Sequence, residues 1–146
     1  MTELTPIRRD ILVDAGVEIA FEVFTDQVGS WWPLAGFSVY GEGSSVSFRD
    51  GAIVETAPDQ PDTVWGTVIR WEPPTSVAFT WHPGGDPGRA SRISVDFVPT
   101  GQQTMVSLQH AGWETFADAA GARAQYERGW PMVLEPYADS IRALRG

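Results

Sequence analysis

Few side chains in this 146-residue chain ordinarily titrate near neutral pH. There are two histidines, His82 and His110, and no cysteine, so a thiolate nucleophile, a disulfide and a thiolate metal site are excluded. His110 follows Val106 and Leu108 at even spacing, which in a strand puts all three side chains on one face. There it could donate to a ligand carbonyl, or act as a general base near neutral pH with a tyrosine as its acid partner. The plainer alternative is a histidine satisfied by backbone or by a tryptophan or tyrosine neighbour. His82, beside Pro83 at a loop, is expected in solvent, and so are Glu55 and Asp96, which fall within strands.

No other catalytic signature is present. The chain has no Gly-x-Ser-x-Gly elbow, no phosphate loop and no His-Glu-x-x-His. Gly41-Glu42-Gly43 and Gly84-Gly85 lack the strand-to-helix context of a nucleotide loop and are expected to be turns. Two histidines far apart in sequence, without thiols, make a transition-metal site improbable. No metal and no cofactor is therefore expected, and His110 is the single, weak catalytic candidate.

The richer constellation is aromatic, with seven tryptophans, seven phenylalanines and three tyrosines. A tryptophan buries a large area and asks for a partner for its N–H, so several of them imply a thick aromatic core or the wall of a cavity. The candidate ligand-binding set is Phe48, Trp65, Trp71, Phe79 and Trp81 from strands, Trp32 from the segment before them, His110, and Tyr126, Trp130, Leu134 and Tyr137 from the C-terminal helix. Pockets lined in this way suit small hydrophobic ligands. The same rings could instead fill the space, and aromatic content alone does not separate the two. For Trp31-Trp32, one ring packed on the sheet and the other partly exposed is set against a place on a pocket rim.

The elements that must position these groups follow from periodicity. Ile7 to Val13 is expected as a strand, with Asp14 capping a helix from Ala15 to Phe24, and Thr25 or Asp26 capping a short helix at Val28 to Trp32. From Ser45 to Gly112 short alternating runs predict six antiparallel strands, seven with the first. Asp50-Gly51 marks a two-residue hairpin turn, Pro58 to Asp62 the next turn, Pro73-Pro74 and Thr100-Gly101 two more, and Pro83 to Gly88 a flexible loop. Val64 to Glu72 is apolar on both sides and is expected to lie centrally, covered on both faces.

From about Asp118 to Arg145, Tyr126, Trp130, Val133, Leu134, Tyr137, Ile141 and Leu144 recur at steps of three and four, with Glu127, Arg128, Glu135, Asp139 and Arg142 opposite. This predicts an amphipathic helix roughly 40 Å long at 1.5 Å rise per residue. Pro131 and Pro136 fall inside the repeat, where each removes a hydrogen bond. Unbroken phase predicts a continuous helix kinked near Gly129 to Pro131, where an opening is expected; the alternative is a separate helix beginning at Pro131.

Composition narrows the function classes. The net charge is −9, and all ten basic residues are scattered arginines, so neither nucleic acid nor an anionic membrane surface is an expected partner. The N-terminus has no apolar signal region and no stretch is long enough to span a bilayer, so a soluble cytoplasmic protein of one domain, residues 1–146, is expected. A protein partner and an oligomeric state cannot be read from it.

The sequence also resembles a known family. Phe24-Thr25-Asp26 followed by Trp31-Trp32, Gly66 leading through Trp71 to Pro73-Pro74, Phe79-Thr80-Trp81, Thr104 with Leu108-Gln109-His110-Ala111-Gly112, and Gly129-Trp130 with Leu134 resemble the group of the START/SRPBCC superfamily named after the C-terminal domain of the activator of heat-shock protein 90 ATPase. The resemblance covers nearly the whole chain. It implies an α+β helix-grip fold, in which a curved antiparallel sheet of about seven strands, with two short helices after the first, wraps around a long C-terminal helix and leaves a cleft between them. A hydrophobic or aromatic small molecule is the expected occupant of that cleft, on the strength of the aromatic residues on the predicted inner faces. The superfamily includes lipid carriers, polyketide cyclases and co-chaperone domains, so a cyclase- or hydrolase-type enzyme and a co-chaperone-like interaction domain are the alternatives.

Overall fold

The computed structural model describes residues 4–145; Met1 to Glu3 and Gly146 lie outside them. Seven strands form one antiparallel sheet in the order β1-β7-β6-β5-β4-β3-β2. They are β1 (Ile7–Val13), β2 (Ser45–Arg49), β3 (Ala52–Thr56), β4 (Thr63–Glu72), β5 (Ser76–Trp81), β6 (Ser91–Thr100) and β7 (Gln103–Ala111). β2 to β7 run as a meander, and β1 closes the other edge against β7. This is the α+β helix-grip arrangement.

Local chemistry sets the joints. Arg49 pairs with Ala52 across Asp50 and Gly51, both at positive φ, so the turn has the mirror-image geometry that matches strand twist. In β6 and β7, Ile93, Val95 and Phe97 alternate inward opposite Val106, Leu108 and His110.

β4 departs from expectation. Its pairing skips Trp65 opposite β3 and Ile69 opposite β5, two bulges that bend the strand and break strict alternation. Trp65 is wholly buried, whereas Ile69 is 57% and Trp71 49% exposed. The strand lies inside the sheet order but is covered on one face only. At Gly66 an added Cβ would fall inside contact distance of the Thr80 carbonyl, so the bend also depends on a residue without a side chain.

Two cap assignments are corrected. α1 spans Val17–Phe24 with Gly16 at its N-cap, not Asp14, and the following element is a single 3-10 turn, Val28–Ser30, entered from Gln27 rather than Thr25 or Asp26. Thr25 instead donates to the Phe21 carbonyl. The loop from Pro83 holds a 3-10 turn at Pro87–Arg89, capped by Asp86, and another 3-10 turn, Trp113–Thr115, precedes the last helix.

α2 runs unbroken from Ala119 to Arg145, through Pro131 and Pro136. Trp130, Val133, Leu134, Tyr137 and Ile141 are buried, but Leu144 is 62% exposed because the helix has by then run past the core. The Tyr137 hydroxyl donates to the Ala20 carbonyl at 2.7 Å and ties α2 to α1, while Arg9 and Arg123 tie it to the β1 edge through Glu127 and Thr5 carbonyls.

Candidate functional site

A cleft of about 380 Å³ opens between the first half of α2, the end of β5 and the loop after Trp32. Trp32, Trp81, Tyr126 and Trp130 form its aromatic wall, Phe37 to Val39 its rim, and Gly129 part of its floor. A side chain at 129 would begin 3.3 Å from Phe37, so the glycine keeps the space open. The opening lies beside Gly129, the segment where the helix was expected to give way.

The rim is built by hydrogen bonds that sequence reasoning missed. Trp32 Nε1 donates to the Phe37 carbonyl at 2.8 Å, and Ser38 bridges Leu34 and Gly41. Glu55 is not solvated but fully buried, and its carboxylate accepts from the Val39 N–H at 2.8 Å, the Tyr40 N–H at 2.9 Å and Trp65 Nε1 at 3.0 Å. Burial, the largest single influence, pushes this carboxyl up. The hydrogen bonds, led by those of Tyr40, Ser44 and Val39, together outweigh it and leave the group more acidic than an ordinary glutamate. The signal was available: Ile53 and Glu55 share a face, and Glu55 pairs with inward Val46. Asp96 is exposed as expected.

His110 is also fully buried, with Trp113, Tyr126 and Trp130 around its ring at centroid distances of 4.4, 4.7 and 5.7 Å. Trp130 Nε1 lies 3.1 Å from its Nδ1, and Nε2 lies 2.7 Å from Ser91 Oγ. An indole N–H only donates, so Nδ1 is the bare acceptor and the ring proton sits on Nε2, pointing at Ser91. Ser91 passes its own proton to the Trp81 carbonyl at 3.4 Å. The serine–histidine contact thus has the wrong polarity for a nucleophile and base, since the nitrogen facing the hydroxyl is already protonated. Burial holds the ring neutral, with its pKa pushed down to about 3. His110 does not line the cleft, and its ring nitrogens are both occupied.

The other candidates divide between wall and core. Trp32, Trp81, Tyr126 and Trp130 reach the cleft. Phe48, Trp65 and Phe79 lie behind it around a closed space of about 10 Å³, room for one water at most. Trp71 does not line the cleft but stands half exposed against Phe21 and Phe48, while Leu134 and Tyr137 belong to the core, the latter packed on Phe24 and Trp31. Trp31 is buried with its Nε1 on the Val23 carbonyl, and Trp32 is half-buried at the rim. His82 is half-buried rather than exposed. Burial raises the Tyr126 phenol; the Trp81 indole opposes this, although its Nε1 meets no acceptor at hydrogen-bond geometry.

This fold and cleft agree with comparison to known proteins. The model of a family described as activator of Hsp90 ATPase homolog 1-like protein matches residues 14–138. The chain belongs to that family. Among solved structures, the anthrahydroquino-γ-pyrone synthase Txn09, determined in a complex, is 30% identical over 97% of this chain and 100% of its own, with a TM-score of 0.62. CalU16 from Micromonospora echinospora is 20% identical over 94% of this chain and 74% of its own, TM-score 0.64. CalC, a self-sacrificing resistance protein from the same organism, is 22% identical over 94% of both chains, TM-score 0.62. The last two share the fold. A search of curated proteins found no match. Family and fold together support a ligand-binding domain. Among the described residues no helix is long and apolar enough to cross a membrane, and no group of three His, Asp or Glu side chains is placed to hold a metal ion.

Proposed function

We propose that this protein binds a flat, largely apolar small molecule in the cleft between the Phe37–Val39 rim, β5 and α2. The carrying observation is the 380 Å³ opening walled by Trp32, Trp81, Tyr126 and Trp130, a volume within the range of small-molecule pockets. Aromatic walls favour an aromatic guest, because offset or edge contacts between rings add to the area they bury. The test is a titration with 1-pyrenebutanol followed by quenching of tryptophan fluorescence. Saturable binding is expected, and Gly129→Leu, which fills the floor while favouring helix, should weaken it at least tenfold. Absence of saturation, or binding indifferent to that substitution, would remove the proposal.

A second reading, ring closure of a bound polyketide in the same cleft, is favoured by the 30% identical synthase. Here the tautomer of His110 leaves it no role as general base, and Tyr126, which lines the cleft, is the residue to test as proton donor. Loss of turnover in Tyr126→Phe with His110→Gln still active is the pattern this reading requires.

A further inference from the structure

On the inward side of β1, Ile7, Ile11 and Val13 are aliphatic, and Arg9, opposite Leu108, is the one charged residue in the row. Its guanidinium forms no ion pair among the described residues. It donates to two backbone carbonyls instead, that of Arg8 at 3.2 Å and that of Glu127 on α2 at 3.1 Å. The second carbonyl has a particular need. In an α-helix the oxygen of residue 127 is served by the N–H of residue 131, and residue 131 is a proline, which has none. An arginine from the sheet edge makes the bond that the helix cannot. Pro136 frees the Met132 carbonyl in the same way, yet no side-chain donor among the described residues reaches it. The difference follows the cleft: Tyr126, Gly129 and Trp130 lie at the first break and line it, whereas Met132 and Pro136 do not.

Resting on the binding function proposed above, we infer that Arg9 is a positioning residue for the cleft: by bonding the carbonyl that Pro131 orphans, it fixes the helical segment carrying Tyr126, Gly129 and Trp130 relative to Trp32 and Trp81. Arg9 does not itself line the cleft, and β7 and β6 separate its strand from β5, so it acts only through α2. A charged donor suits this task, because its bond to a carbonyl is stronger than that of a neutral one. One turn earlier Arg123 donates to the Thr5 carbonyl at 2.7 Å, so loss of Arg9 shifts the segment without detaching it.

The experiment is a double-mutant cycle of Arg9→Met and Pro131→Ala, read by 1-pyrenebutanol affinity through tryptophan quenching. Methionine keeps an apolar stem and loses the donor, while alanine at the exposed position 131 returns the helical N–H to Glu127. Arg9→Met alone should weaken binding about tenfold, and in the Pro131→Ala background by less than about twofold, since the helix then closes its own bond. Arg8→Met, an exposed neighbour on the same strand, should change affinity by less than about twofold in either background. Unchanged binding in Arg9→Met, or an equal loss in both backgrounds, overturns the positioning role and leaves the cleft standing. An Arg9→Met chain that folds only together with Pro131→Ala supports the role, and one that folds with neither overturns it. If the native protein binds no pyrenebutanol, the proposed function falls and the tether is judged by hydrogen exchange. The Tyr126 to Trp130 amides should then exchange faster in Arg9→Met but not in the double variant, and equal exchange in the two overturns the tether as well.

Discussion

Glu55 and His110 are both fully buried and both fully hydrogen-bonded, yet the fold keeps one charged and the other neutral. The difference lies in the partners. Glu55 meets only donors, two backbone N–H groups and an indole, which stabilise a carboxylate against the burial that would protonate it. His110 meets a donor on one nitrogen and a hydroxyl that serves as acceptor on the other, an arrangement complete without a second ring proton. Burial then disfavours the imidazolium without opposition. A buried titratable group near a cleft is therefore not by itself a catalyst, and both of these act as fastenings: Glu55 for the rim of the cleft, His110 for the helix that forms its wall.

The contrast can be broken most forcefully at Trp130, which fills core and completes His110. Trp130→Ala should cost about 3–5 kcal/mol in urea unfolding, the range for removing a buried large aromatic. A loss below about 1 kcal/mol would mean that the stripe of α2 does not carry the core.

Next in size is pH. A histidine neutral in the fold at pH values where the unfolded chain binds a proton loses stability as pH falls, from its unfolded pKa of 6.5 toward about 3. The slope is about 1.4 kcal/mol per pH unit. Glu55, with its folded pKa below 4.5, contributes stability that is present above 4.5 and lost as pH falls through the folded value. Between pH 4.5 and 6.5 the two separate. There, unfolding free energy should fall by about 2–3 kcal/mol in the native protein, and His110→Gln should remove most of that fall. An unchanged slope in the variant would assign it to other groups.

Glu55→Gln sharpens the other half. The amide keeps one acceptor but turns an NH₂ toward groups that donate, so a loss of about 2 kcal/mol is expected at pH 7. Hydrogen exchange should speed at Val39 and Tyr40 and not at β7. Exchange unaltered at the rim would show that the loop holds without this carboxylate. Ser91→Ala is the smallest, about 1 kcal/mol, because it orphans the Nε2–H of His110 while leaving the Trp130 bond in place.

Much of the fold was legible because it depends on local patterns. Asp50-Gly51 marks its hairpin by backbone preference alone, the alternation of β5 to β7 declares an inward face, and the phase of α2 survives two prolines because its tertiary contacts outweigh the hydrogen bonds they remove. The caps were less legible: Asp14, Thr25 and Asp26 are all suitable cap residues, and Gly16 and Gln27 were chosen by where the chain leaves β1 and α1. The two bulges in β4 have no marker beyond Gly66, and they decide that Trp65 is inside and Trp71 half outside. Ser91 stands two residues from Ile93 on the inner face, so its meeting with His110 was implicit in the β6–β7 register but needed that register to be seen.

By itself the sequence determined the order of elements, the inward faces of most strands, the buried stripe of α2 and the aromatic character of what lies between, since periodicity and turn chemistry act within a few residues. Only the tertiary structure decided which rings fill space and which border it. That depends on the loop from Pro33 to Ser44, which has no periodicity, and on Glu55, a carboxylate 15 residues away in sequence from the Tyr40 N–H it holds. It also decided the tautomer of His110, because a ring proton is placed by its neighbours across the fold and not by its own spacing.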